Sequence, residues 1–267
     1  MIAAKRHREG PAPKAPPPLN HAVFLRPIAH RGFHDQAKGR VENTAPAFQA
    51  AMDHGYGIEC DLQAAGDDVP MVFHDGKLER LMDAAGPIRS YTARELGRFR
   101  YAAVDQRMLR FSEFLELVNG RVPLLIEVKG DRKRLQGDFL PNIAKLARRY
   151  KGPLALMSFE RDFVRTLGKL ASGVPRGPVV GSKQFLAGLW RKPQRGDKAA
   201  GASRIFGTAP VDASFIAVDV KLVAVARRSL ARQGLEIPLF TWTVRTPRQR
   251  ATAARWADAP IFEGYEP

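Results

Sequence analysis

Two short apolar runs in this chain carry charges that a buried strand ordinarily excludes. YGIECDLQ, residues 56–63, holds Glu59 and Asp61 two positions apart, and LLIEVKG, residues 124–130, holds Glu127 and Lys129 at the same spacing. Taking an ionised carboxylate out of water is costly unless it is paired or bound to a metal. Strand side chains alternate, so Glu59 and Asp61 share one face while Cys60 points to the other. Glu59, Asp61 and Glu127 together form an all-oxygen donor set. Such a set suits Mg2+ or Ca2+ rather than a thiolate-seeking metal. His30-Arg31 ends one apolar run and His74-Asp75 ends another. Two imidazoles, each with an unperturbed pKa near ~6.5, suit a general base and a general acid. Arg31 offers a planar fork to a phosphate oxygen, and Lys129 adds a second positive charge. The combination describes phosphoryl transfer. Taken singly, each piece has an ordinary structural reading: a histidine at a strand end often serves a fold, and Glu127 with Lys129 could simply form salt bridges. Their joint occurrence at strand ends carries the inference.

For these residues to meet, the chain must bring distant segments to one end of a scaffold. Strand-like runs fall at 27–32, 56–63, 69–75, 123–130, 154–159, 176–180, 215–220, 237–244 and 259–264. Helix-like stretches separate them at 44–55, 111–118, 139–150, 163–171, 222–233 and 247–255. Repeated strand–helix units argue a parallel sheet wrapped by helices. With 69–75 set aside as an extra element, about eight strands remain, which predicts a (β/α)8 barrel. The inward carboxylates then sit near the strands' C-terminal ends, where barrel active sites lie. Residues 76–110 are long for a strand-to-helix connection and read as a capping insertion. Residues 186–210, rich in Gly, Lys and Arg, read as a mobile loop.

A chain of 267 residues fits one large domain or two small ones, and its 45% apolar content supports a core. Residues 1–22 are basic, Pro-rich and without a signal-peptide apolar core, and read as a disordered leader to a domain spanning 23–267. No apolar run approaches the ~18 residues needed to span a bilayer. Cys60 is the only cysteine, so no intrachain disulfide can form and a cytoplasmic location is expected. The formal charge of +16 favours anionic partners, although a merely solvated basic surface has the same composition. The positive residues are scattered and no nucleic-acid motif accompanies them, so nucleic acid is not the expected partner. A peripheral contact with an anionic membrane remains open, and no obligate protein partner is implied.

The stretches IAHRGFHD, ENTAPAFQAAMDHGYGIECDLQ, VPMVFHDGKLERLMDAAGPI, YTARELGRF and LLIEVKG resemble the bacterial form of the glycerophosphodiester phosphodiesterase family. The H-R-G, E-N-T, E-x-D, H-D and E-x-K elements occur in that family's order, from about residue 26 onward. The resemblance implies a TIM-type α/β barrel with a small insertion after the second strand, about 62–110. It implies one divalent cation, Mg2+ or Ca2+, on Glu59, Asp61 and Glu127, with His30 and His74 as the acid–base pair. It also implies a small phosphodiester substrate touched by Arg31 and Lys129, and by Trp242 in FTWTV, although a barrel-core role suits Trp242 equally. The expected activity is hydrolysis of glycerophosphodiesters to sn-glycerol 3-phosphate and an alcohol. Two alternatives stand: a phosphodiesterase acting on lysolipids or anionic membrane lipids, and a non-catalytic phosphate-binding barrel. Glu42, in E-N-T, is expected to orient a neighbouring group such as His30 or to cap the helix, and His34 to be a bystander. The chain departs from the family at its last strand, IFEGYEP, where many members read TD-x-P. That difference is expected to alter the pocket floor and not the histidine machinery.

Overall fold

The computed structural model describes residues 16–130, 137–182 and 213–267. The basic stretch 186–210 lies outside these residues. Among the described residues the chain runs α1 (His21–Phe24), β1 (Ile28–Ala29), α2 (Ala45–Asp53), β2 (Gly57–Ala64), β3 (Pro70–Val72), α3 (Ala93–Leu96), β4 (Arg100–Tyr101) and β5 (Val104–Arg107). It continues through α4 (Phe111–Val118), β6 (Leu124–Val128), α5 (Phe139–Arg149), β7 (Leu154–Ser158), α6 (Arg161–Leu170) and β8 (Arg176–Val180). The final elements are β9 (Ile216–Asp219), α7 (Val223–Arg232), β10 (Leu239–Val244), α8 (Pro247–Trp256) and β11 (Ala259–Phe262).

The strands pair in the order β1-β11-β10-β9-β8-β7-β6-β2, and β1 pairs again with β2, closing an eight-stranded parallel barrel of the TIM type. Helices form where apolar residues recur on one face. In α4, Phe111, Phe114, Leu115 and Val118 repeat at i, i+3, i+4 and i+7 and all are buried; the helix stops at Asn119 in the left-handed region. In α8, Thr246 accepts from the Gln249 N–H in a capping box, and Pro247 sits in the first turn.

Strand alternation sorts the core into two shells. Ala29, Ile58, Cys60, Leu62, Leu124, Ile126 and Leu156 pack outward with the helices. Ile28, Leu125, Ala155, Val179, Phe215, Ala217, Phe240 and Ile261 fill the barrel's interior. Leu19 and Phe24 belong to this interior cluster. Of the stretch 1–22 only residues 16–22 are described; Leu19 is buried there, and α1, which begins at His21, buries Phe24. Residues 1–15 lie outside the description.

The insertion leaves the barrel through β3, which pairs antiparallel with the end of β2. It then forms α3 and the two-stranded sheet of β4 and β5. Met71, Phe73, Leu78, Met82, Ile88, Leu96, Tyr101 and Met108 give it a small core of its own. Its contribution to the barrel mouth is His74: the Phe73 N–H donates to the Asp61 carbonyl, and Gln63 Nε2 donates to the His74 carbonyl.

Candidate active site

Three acids converge at the barrel's C-terminal mouth. Asp61 of β2 and Glu127 of β6 are register partners, and Glu59 lies two residues earlier on the same face. One carboxylate oxygen from each lies within 4.8 Å of the others. All are buried, at 1%, 1% and 8% exposure for Glu59, Asp61 and Glu127. Burial, and then the charges of Asp61 and Glu127, push the Glu59 carboxyl well above its ordinary pKa. Burial also raises Glu127, against the opposing charge of Lys129. Burial acts the same way on Asp61, but Lys129 and Arg31 outweigh it and hold that carboxyl well below the usual range.

Lys129 Nζ donates to Glu127 Oε1 and lies 3.0 Å from Asp61 Oδ1. Burial would lower this ammonium, yet Asp61 and Glu127 raise it above its ordinary value. The Arg31 backbone N–H donates to Glu59 Oε2 at 3.0 Å, and its Nε lies 3.4 Å from Asp61 Oδ2. Arg31 adopts a left-handed backbone, φ 56°, followed by Gly32 at φ 80°. A Cβ on Gly32 would meet the Ala47 backbone at 2.9 Å, so only glycine lets the loop lie against α2. Asn43, also left-handed, donates its backbone N–H to the Arg31 carbonyl and its side-chain Nδ2 to Asp61 Oδ2. Strained backbone held by such links is a common property of functional sites. Glu59 Oε1 remains buried with no hydrogen-bond partner. An orphaned carboxylate oxygen, three converging oxygen donors and mutual repulsion together fit a hard divalent cation.

The two histidines reach the mouth from different elements. His30 follows β1; its Nδ1 lies 2.8 Å from Glu263 Oε2 and its Nε2 3.9 Å from Glu59 Oε2. Burial lowers the His30 pKa, opposed by the hydrogen bond to Glu263. His74 Nδ1 lies 2.6 Å from Asp75 Oδ1, and burial lowers this imidazole too, opposed by the Asp61 charge. Asp75 and Glu42 are joined through Arg80, which donates to both. Glu42 also accepts from Arg31 Nη1 at 2.8 Å, so it orients Arg31 and not His30, and it does not cap α2, whose N-cap is Thr44.

Trp242 lies half-buried on β10, edge-on to Phe159 at 5.4 Å, and packs against the barrel's interior cluster. Lys129 Nζ sits 6.0 Å from the Phe159 ring centre, which ties this aromatic corner to the charged mouth. The last strand holds a correction. Glu263, immediately after β11, binds His30 directly and also receives Arg245 Nη2 at 2.9 Å. The departure from TD-x-P therefore falls within the histidine machinery, because residue 263 continues the inward series of Ala259 and Ile261. His34, read as a bystander, lies 3.9 Å from the same Glu263 oxygen. The alternation in APIFEG is the signal by which Glu263 could have been found; the loop position of His34 gave none.

The family model described as the glycerophosphoryl diester phosphodiesterase family matches residues 30–262. A glycerophosphodiester phosphodiesterase from Caldanaerobacter subterraneus subsp. tengcongensis is 34% identical over 120 residues, 43% of this chain and 43% of that protein. One from Bacillus altitudinis is 37% identical over 110 residues, 38% of this chain and 43% of that protein. The matched stretch thus spans less than half the length of either relative. Among solved structures, an Oleispira antarctica phosphodiesterase in complex with the product sn-glycerol-3-phosphate superposes with TM-score 0.71 at 19% identity, covering 89% of this chain and 92% of that one. A Thermotoga maritima glycerophosphodiester phosphodiesterase gives 0.65 at 22% identity, covering 90% and 94%. These likenesses establish the same fold.

Proposed function

This chain belongs to the glycerophosphoryl diester phosphodiesterase family, and from that premise we propose that it hydrolyses glycerophosphodiesters to sn-glycerol 3-phosphate and an alcohol. The observation that carries the reading is the convergence of Glu59, Asp61 and Glu127 at one mouth with two imidazoles, each backed by its own carboxylate. A phosphate-binding barrel without catalysis has no use for two such dyads.

Glu59, Asp61 and Glu127 would hold a divalent cation, Mg2+ or Ca2+, which when bound polarises a phosphate oxygen and neutralises developing charge. Arg31 and Lys129 grip the phosphate's anionic oxygens; Glu42 and Arg80 keep Arg31 aimed. Glu263 accepts the His30 Nδ1 proton, which leaves Nε2 as a lone-pair acceptor facing the acids. His30 then removes the proton of the attacking hydroxyl: water gives sn-glycerol 3-phosphate directly, whereas the glycerol 2-hydroxyl gives a cyclic phosphate that water must afterwards open. His74, steadied through Nδ1 by Asp75, delivers its Nε2 proton to the departing alcohol oxygen. The alcohol leaves toward the mouth, where Trp242 and Phe159 supply an apolar wall.

The test is a panel of glycerophosphodiesters and lysolipid vesicles, assayed with EDTA and with added Mg2+, Ca2+ or Mn2+, following release of glycerol 3-phosphate. Ion-dependent release from the soluble diesters is the expected outcome. Turnover of lysolipid vesicles alone would transfer the activity to membrane lipids, and no turnover of either would leave only a binding protein.

A further inference from the structure

The described residues contain a second cluster of donors, on the far side of His30 from the three acids. One atom each of His30, His34 and Glu263 lies within 4.8 Å of the other two. His30 Nδ1 is 2.8 Å and His34 Nε2 is 3.9 Å from Glu263 Oε2. His34 is held in place by its neighbour: Phe33 packs edge-on against His54 and Tyr56 at 5.0 and 5.4 Å, and its N–H donates to the Ala47 carbonyl.

We infer that His30, His34 and Glu263 form a metal site separate from the oxygen triad, selective for a borderline cation such as Zn2+, whose occupation blocks the chemistry at His30. The donor chemistry supports the selectivity. Two imidazole nitrogens and one carboxylate are the ligand set of three-ligand zinc sites, whereas Mg2+ and Ca2+ take oxygen donors. The dimensions are close. Zn–N and Zn–O bonds of about 2.0–2.1 Å in a tetrahedron place ligand atoms about 3.3 Å apart. The two separations from Glu263, 2.8 and 3.9 Å, bracket that value, and the atoms of His30 and His34 lie within 4.8 Å of each other. The cluster is reachable: the His34 and Glu263 side chains are 20% and 22% exposed, which leaves a fourth position open to water. Arg245 occupies the same Glu263 oxygen, but its side chain is 52% exposed and can swing into solvent as the ion enters.

The inhibition, which rests on the proposed function, follows from the tautomer. Metal on His30 Nδ1 takes the opposite tautomer of the neutral ring, so the single proton that faced Glu263 from Nδ1 is relocated to Nε2. With its one proton on Nε2, the ring no longer has a lone pair there to accept a proton from the nucleophile.

Binding and inhibition separate experimentally. Ion-free protein carrying Glu59→Gln and Asp61→Asn, which weakens the oxygen site, is titrated with Zn2+ by calorimetry. It should still bind one Zn2+, and adding His34→Ala, or the bulkier polar His34→Gln, should weaken that binding at least about tenfold. With the oxygen triad intact and Mg2+ in excess, Zn2+ should inhibit release of glycerol 3-phosphate. The His34→Ala protein should keep its Mg2+-supported turnover and need at least about tenfold more Zn2+ for half inhibition. Zn2+ affinity indifferent to both His34 substitutions would overturn the site. A protein without turnover on any diester would sink the functional reading while the calorimetry still decided the metal site.

Discussion

The two ends of the barrel's interior are built from the same strands and obey opposite rules. On β6, Leu125 packs among Ile28, Phe215 and Phe240, while Glu127, one inward position later, faces two other acids. At the N-terminal end, Leu19 and Phe24 close the apolar cluster. At the C-terminal end, three buried carboxylates, an ammonium, a guanidinium and two imidazoles share a small volume. The lower end supplies stability, because burying a large apolar side chain is worth about 1.5–3 kcal/mol. The upper end opposes it, since Glu59 and Glu127 are forced above their ordinary pKa values. The proposed activity therefore falls where the fold is least comfortable.

The sharpest way to break this division is to remove an imidazole. His30→Ala or His74→Ala should lower kcat by about 10²–10⁴-fold with an unfolding midpoint close to that of the unaltered protein. Unchanged turnover, followed by glycerol 3-phosphate release, would remove them from the chemistry. Next comes Glu59→Gln, which should raise the divalent-ion concentration for half-maximal activity about 10–100-fold. In ion-free protein the same change should stabilise the fold by about 1 kcal/mol, read from denaturant melts. The sign follows from linkage. A carboxyl whose folded pKa is raised lends stability below its unfolded pKa, about 4.3, and loses it as pH climbs through the folded value. Glutamine escapes that loss, so the gain should grow with pH.

The apolar end should behave conversely. Phe24→Ala should cost about 3–5 kcal/mol of stability and leave kcat/KM of the remaining folded molecules unchanged. The smallest effect belongs to Glu263→Gln. Its hydrogen bond raises the His30 pKa, so its loss lowers that pKa further. The acid limb of the kcat/KM profile should shift to lower pH while the plateau falls about tenfold. An acid limb that stays in place would detach Glu263 from His30.

Much of this was legible in the sequence because strand alternation is a strict rule. It put Glu59 and Asp61 on one face and Cys60 on the other, and β2 bears this out: Cys60 packs among helix-side residues. The helix over 111–118 was readable to its ends, since its apolar stripe and following Asn119 are local signals. What escaped depends on tertiary contact. Leu19 follows a run of prolines that reads as disorder, and only the barrel's lower end gives it a place to bury beside Phe24. Glu263 sits beside His30 because β11 pairs with β1, a partnership spanning most of the chain. Arg80 joins Glu42 to Asp75 across the insertion, and no spacing rule links those positions.

The central claim is that Glu59, Asp61 and Glu127 share one divalent ion. Crystals soaked in Mn2+ and measured for anomalous scattering test it directly. The account predicts a peak within about 2.6 Å of an oxygen from each of the three carboxylates, with Lys129 displaced from at least one of them. A peak elsewhere in the barrel, with these acids still paired only to Lys129 and Arg31, would contradict it.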